Sequence, residues 1–125
     1  MSNYNNLLKD ILDVIEKNLK EDINVGILAC EFDISTRHLQ RLFKLTFRQT
    51  VGLYIRYRKL AASIDDLLNT NLNVLNIALD YGFEYEQSYI RSFKREYGIT
   101  PGDLRKRGKI SEIKPPLRLF INNSK

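Results

Sequence analysis

Apolar residues recur three and four positions apart along most of this chain, the spacing that places them on one face of a helix. The first stripe is Leu7/Leu8, Ile11, Val14/Ile15 and Leu19, with Lys9, Asp10, Asp13, Glu16 and Lys17 on the other side. It predicts a helix over about Tyr4–Lys20, with Asn3 or Asn5 as its cap. Asn24 can cap a short helix, Val25–Phe32, that buries Ile27, Leu28 and Phe32. Asp33-Ile34 makes a turn, and Ser35 caps a third helix, Thr36–Leu45. A longer helix over Val51–Leu68 has no internal Pro, Thr50 as its N-cap and an apolar stripe at Tyr54, Tyr57, Ala61, Ile64 and Leu68. After the polar break Asn69–Asn71, Asn73 caps Val74–Tyr81, with Val74, Ile77 and Ala78 inward. Gly82 supplies a left-handed turn residue, Phe83 plugs the core, and a helix over Glu86–Tyr97 follows. Gly98 ends it; Thr100 and Pro101 open a last helix as N-cap and N1 residue, with Asp103 in its first turn. The chain is therefore all-α.

Two of these helices carry a second pattern. On the third, Leu39, Leu42 and Phe43 face inward, while Arg37, Gln40, Arg41 and Lys44 fall at i, i+3, i+4 and i+7 on the opposite face. On the helix over Glu86–Tyr97, Tyr89 and Phe93 face inward, and Gln87, Ile90, Arg91 and Lys94 repeat the spacing. The segments Arg41-Leu42-Phe43-Lys44 and Arg91-Ser92-Phe93-Lys94 lie 50 positions apart. Each follows a short helix and a tight turn, which makes two helix-turn-helix units. Arg presents a planar fork to guanine O6/N7, Gln can pair with adenine N6/N7, and an apolar Ile90 suits a thymine methyl. Lys44, near its helix end, suits a phosphate. Glu86 can accept from cytosine N4 or simply favour the helix dipole. A solvated polar face is the plainer reading of either helix alone, and the recurrence argues against it. The helix between the units spans roughly 27 Å at about 1.5 Å per residue, which suits the roughly 34 Å repeat of DNA.

Charge sharpens this picture. The chain has 20 basic and 15 acidic residues, a net charge of +5. Met1–Asp33 carries 3 basic against 7 acidic residues, a net of −4, and Ile34–Lys125 carries 17 against 8, a net of +9. A basic block of this kind fits a polyanionic partner. Arg105-Lys106-Arg107-Gly108-Lys109 reads as a basic run leaving the fold, suited to phosphates or simply solvated. The tail from Ile110 contains Pro115-Pro116 and shows no helical period.

Other chemistries find little support. Cys30 is the only cysteine and His38 the only histidine, too few for a structural zinc site, and no metal or other cofactor is expected. A lone cysteine allows no internal disulfide, which suits a reducing cytoplasm. Cys30 reads as a small core residue on an apolar helix, and His38 as a surface or phosphate-contacting side chain. The start MSNYNNLLKD lacks the apolar segment of a signal peptide, and no run approaches the roughly 20 apolar residues of a membrane span.

The chain resembles the DNA-binding domain of the AraC/XylS family of bacterial transcription regulators, over about Leu7 to Arg107. The resemblance rests on Leu28-Ala29, Ser35, Leu39-Gln40-Arg41-Leu42-Phe43-Lys44, Tyr54-Ile55-Arg56 with Arg58, Ile77-Ala78, Tyr81-Gly82-Phe83, Tyr89, Arg91-Ser92-Phe93-Lys94 and Gly98-Ile99-Thr100-Pro101. HLQRLFK, YIRYRKL and YGFE make it most similar to the small MarA, SoxS and Rob group. The resemblance implies seven helices in two helix-turn-helix subdomains joined by the long helix, with the third and sixth entering adjacent major-groove segments. Carried over by position, Arg37, Gln40 and Arg41 of the first unit, and Glu86, Gln87, Ser88, Ile90 and Arg91 of the second, face bases. It implies an activator working through RNA polymerase. Departures fall at Asp33 and Arg48, where Gly is frequent, and at Tyr85, where a capping Ser is usual. Arg37 and Glu86 replace a Trp and a Gln on the reading faces, so the relatives' target sequence does not transfer.

These readings divide the chain into a DNA-binding domain, residues 1–108, and a tail, 109–125. The tail is similar to the lead into an effector-binding domain in Rob-like proteins. Either the chain is a stand-alone short regulator, or it is one part of a longer protein. The function expected is a sequence-specific transcription regulator that reads an asymmetric double-stranded site as a monomer. A non-specific or architectural binder would need the basic charge but not two distinct reading faces. An enzyme would need a nucleophile–base pair or a metal cluster, and the sequence offers neither.

Overall fold

Five helices start at a side chain that takes up an orphan backbone N–H. Asn24 Oδ1 accepts from Ile27 N at 2.9 Å, Ser35 Oγ from His38 N at 3.0 Å, and Thr50 Oγ1 from Leu53 N at 3.2 Å. Asn73 Oδ1 accepts from Asn76 N at 2.8 Å and Thr100 Oγ1 from Asp103 N at 3.1 Å. All five are the caps expected from the sequence. The computed structural model describes residues 3–108, and its elements are α1 (Asn3–Lys17), α2 (Val25–Glu31), α3 (Thr36–Phe47), α4 (Val51–Asn69), α5 (Val74–Asp80), α6 (Glu86–Tyr97) and α7 (Pro101–Arg107). The capping side chains assigned to Asn3 or Asn5, and the 109–125 tail, lie outside the described residues. The chain divides into two compact units, Met1–Arg58 and the part from Lys59 onward.

In the first unit, Ile11, Ile15, Leu28, Leu39, Leu42 and Phe43 are almost fully buried. The rings of Phe43, Phe47 and Tyr54 pack at centroid distances of 4.9 to 5.3 Å, within the attractive range for aromatic pairs. Arg58 reaches back from α4 to Glu16 on α1 with a two-pronged ion pair, 2.6 Å from Nε and 2.9 Å from Nη2. Helix α1 stops at Lys17 rather than Lys20. Asn18 turns its side-chain amide onto Val14 O at 2.7 Å, a local bond that competes with continuing the helix.

Three burial expectations in the first unit are corrected. Cys30 is exposed and not a core residue, Ile27 is 45% exposed, and Phe32 is only half-buried. Helix α2 buries Leu28 and Ala29. At about 100° per residue the arc centred between them leaves Ile27 and Cys30 roughly 150° away on either side. The turn before α3 carries Asp33 at φ 56°, and the C-cap of α3 is Arg48 at φ 60°. Both are left-handed positions that glycine fills more cheaply.

The second unit repeats the design with a polar seam. Phe83, Tyr89, Phe93 and Tyr97 form a chain of ring contacts at 4.8 to 5.7 Å. Tyr89 Oη donates to Ser63 Oγ at 2.8 Å, and Tyr81 Oη donates to Asp66 Oδ2 at 2.9 Å. Burial and the bond to the Asp66 carboxylate raise the Tyr81 hydroxyl's pKa. Burial pushes Tyr89 up to about 12, although its bond to Ser63 works the other way. Gly82 at φ 85° and Gly98 at φ 77° supply the turns that Asp33 and Arg48 make in the first unit.

Helix α4 departs from its expected stripe. Tyr54 and Ile64 are buried as expected, but Tyr57, Ala61 and Leu68 are half-buried. The buried positions are Val51, Tyr54 and Ile55, then Leu60, Ser63, Ile64 and Leu67, with Asp66 beside them. Each set alone has the three-and-four spacing; the five-residue step from Ile55 to Leu60 breaks the phase.

Candidate nucleic-acid interface

Helices α3 and α6 are each 12 residues long and start and end 50 positions apart. Their inward faces correspond residue by residue: Leu39 with Tyr89, Phe43 with Phe93, and Phe47 with Tyr97 are all buried. What remains outward is the polar set. Arg37, Arg41 and Lys44 are exposed on α3, and Gln87, Arg91 and Lys94 are exposed on α6. Gln40, Glu86, Ser88 and Ile90 are half-buried. The face of α6 is slightly hollowed, and Gln87, Ile90, Arg91, Lys94 and Arg95 line the hollow.

Arg95 was not among the residues expected from the sequence, although its i+4 spacing from Arg91 places it beside the others. Its counterpart on α3 is Leu45, 68% exposed. The start of α6 lacks a side-chain cap, because Tyr85 occupies the N-cap position without a capping bond. Glu86 then supplies negative charge to the first turn, where the exposed N–H groups favour it.

Two expected contact residues are engaged within the fold. Gln40 Oε1 accepts from Val51 N, the first residue of α4, at 2.9 Å. A bidentate pair with adenine would need that oxygen to accept from the base, so the arrangement differs from the one the residue type suggested. Arg105 does not leave the fold with the basic run. Its Nε donates to Leu67 O at 2.9 Å and its Nη2 to Thr70 O at 3.2 Å, so it closes the carbonyl end of α4. Lys106 and Arg107 are the exposed cations of α7, which ends at Gly108 with φ 67°. His38 is exposed, as expected, next to the α3 cap. Among the described residues there is no group of three or more side chains suited to hold a metal, and no helix is long and apolar enough to cross a membrane.

Two short-helix, turn and long-helix units, each with a buried aromatic face and an outward basic face, define a paired helix-turn-helix protein. The match of residues 28–107 to the family described as Helix-turn-helix domain agrees. Regulatory protein SoxS of Escherichia coli (strain K12) is 31% identical over 104 residues, which cover 83% of this chain and 97% of that one. The transcriptional regulator Rob of Salmonella typhimurium (strain LT2) is 36% identical over 115 residues, 90% of this chain and 40% of that one. The chain thus spans less than half the length of the Rob relatives it matches. An AraC-type transcriptional regulator from Chromobacterium violaceum has the same fold, with a TM-score of 0.80 at 23% identity over 85% of this chain and 95% of that one. This chain belongs to the AraC-type helix-turn-helix family of transcription regulators, in the group that includes SoxS and Rob.

Proposed function

We propose that the protein regulates transcription by reading two unlike segments of one double-stranded DNA site as a monomer. The observation that carries this reading is the pair of outward basic faces on α3 and α6, at matched positions but with different residues. Arg37 and Arg41 present guanidinium forks on one, and Gln87, Ile90 and Arg91 present an amide, an apolar side chain and a guanidinium on the other. In this reading Lys44, Lys94, Arg95, Lys106 and Arg107 would contact phosphates, and Glu86 and Ser88 at the start of α6 would face bases. One unbroken helix, α4, joins the two units, so neither a palindrome nor a dimer is required. Activation through contact with RNA polymerase belongs to the same proposal, and transcription in vitro from a promoter carrying the selected site checks it.

The experiment is selection of bound sequences from a random DNA pool, followed by titration of the selected site. If about six cations displace counterions, log K falls against log salt with a slope near −5. A flat salt response sinks the nucleic-acid reading. Excess random DNA should compete weakly; equal competition would favour a non-specific binder. Inserting about five base pairs between the two segments turns one of them by half a turn and should abolish specific affinity. Affinity independent of spacer length would mean that one unit does all the reading.

A further inference from the structure

The two helix-turn-helix units differ in one linked pair of residues. In the first, position 40 is Gln and the first residue of the following helix is Val51; in the second, the matching residues are Ile90 and Pro101. Val51 has a backbone N–H at a helix start, where no carbonyl of its own helix can accept it, and Gln40 Oε1 takes it at 2.9 Å. Pro101 has no N–H, and the residue matching Gln40 there is apolar. The amide is present where there is a donor to satisfy and absent where there is none. Because its partner can only donate, the Gln40 amide must turn its oxygen inward to Val51.

From this pairing we propose that Gln40 is a positioning residue rather than a base reader: it fastens the reading helix α3 to the first turn of α4 and so aims Arg37 and Arg41. The inference rests on the DNA-reading function above and names how its first unit is held. Gln40 lies three residues from Arg37 and next to Arg41, and Val51 is fully buried. The tie therefore joins the outward face of α3 to a fixed point in the first unit. Without it, α3 keeps its buried Leu39, Leu42 and Phe43 but loses a restraint on its outward side.

The test compares base preferences, as ratios at each position of the selected site, for the wild type, Gln40→Ala, Gln40→Glu, Val51→Pro and the Gln40→Ala/Val51→Pro double variant. Ratios cancel any uniform loss of affinity, including repulsion of phosphates by the carboxylate that Gln40→Glu introduces. For a positioning residue, Gln40→Ala weakens discrimination roughly threefold to tenfold at the positions read by Arg37 and Arg41 together. Gln40→Glu keeps an oxygen for Val51 N–H and restores those ratios. Val51→Pro removes the donor, so adding Gln40→Ala to it changes nothing further. The proposal is overturned if Gln40→Ala flattens a single base position of its own, equally with and without Val51→Pro. It is also overturned if Gln40→Glu acquires a new cytosine preference, since its outer oxygen would then be touching a base. If Val51→Pro does not fold, the Gln40→Ala and Gln40→Glu pair decides alone. Absence of any base preference in the wild type would instead defeat the DNA-reading proposal itself.

Discussion

Gln49 is 6% exposed, and neither its Oε1 nor its Nε2 has a hydrogen-bond partner among the described residues. A buried amide without partners costs on the order of 1–3 kcal/mol. The matching residue of the second unit is Ile99, buried between the Gly98 turn and the Thr100 cap, just as Gln49 lies between Arg48 and Thr50. Gln49→Ile should therefore stabilise the protein by about 1–2 kcal/mol. The check is a urea titration in which the midpoint rises while the slope holds; an unchanged or lower midpoint refutes it. At this scale the sequence was readable wherever a residue acts on its immediate neighbours. Asn24, Ser35, Thr50, Asn73 and Thr100 each cap a helix by accepting the backbone N–H three residues ahead. The left-handed positions of Asp33 and Arg48 also showed as departures from glycine. Cys30 and Ile27 were misread, because a seven-residue helix is too short for its apolar residues to fix which face turns inward. Gln40 was beyond such a reading as well, since its partner Val51 lies 11 positions away across a turn.

Between helices, two ends stand out. The N-terminus of α6 has Tyr85 where a hydroxyl or amide could accept from the first turn. Tyr85→Ser supplies that acceptor and should raise stability by about 1 kcal/mol, seen as a higher melting temperature. No increase would mean that the Tyr85 ring offsets the missing cap. At the other end of α4, the Arg105 guanidinium gathers carbonyls of Leu67 and Thr70. Arg105→Ala should cost about 1–2 kcal/mol of stability. Lys106→Ala, at an exposed position one residue on, should leave stability unchanged while weakening DNA of any sequence. If both variants lost only affinity, Arg105 would be a phosphate contact after all. Helix boundaries were legible to within three residues throughout, and the buried face of α4 was not. A single apolar stripe presumes a single buried face, whereas α4 has two sets of buried positions with a break in phase between them. Ser63 and Asp66 carry polar atoms at buried positions of the second set, so an apolar tally passes over them.

For the molecule as a whole, the raised hydroxyls of Tyr81 and Tyr89 make stability fall at alkaline pH. Burial holds the Tyr89 hydroxyl protonated up to about 12, and Tyr81 is raised as well. The folded state thus binds these protons more tightly than the unfolded chain, whose tyrosines titrate near 10. Their contribution is complete below pH 10 and is lost as pH climbs from there towards 12. Tyr89→Phe removes one titrating group, so its unfolding free energy should fall less steeply than that of the wild type between pH 9.5 and 11. Parallel curves would show that Tyr89 does not carry the effect. The division into an acidic first third and a basic remainder was plain from residue order, because it needs no folding to count charges. The division into units was half plain: two repeats were visible, but the border between Arg58 and Lys59 falls inside helix α4. That border has a consequence for how such a protein changes over generations. The junction has no loop, so a gained or lost codon there falls within regular helix. Each residue added within Val51–Asn69 would turn all that follows by about 100° and advance it by about 1.5 Å. An insertion between Ile55 and Leu60 would therefore carry the second set of buried positions, Leu60, Ser63, Ile64 and Leu67, round the helix like a thread cut out of pitch.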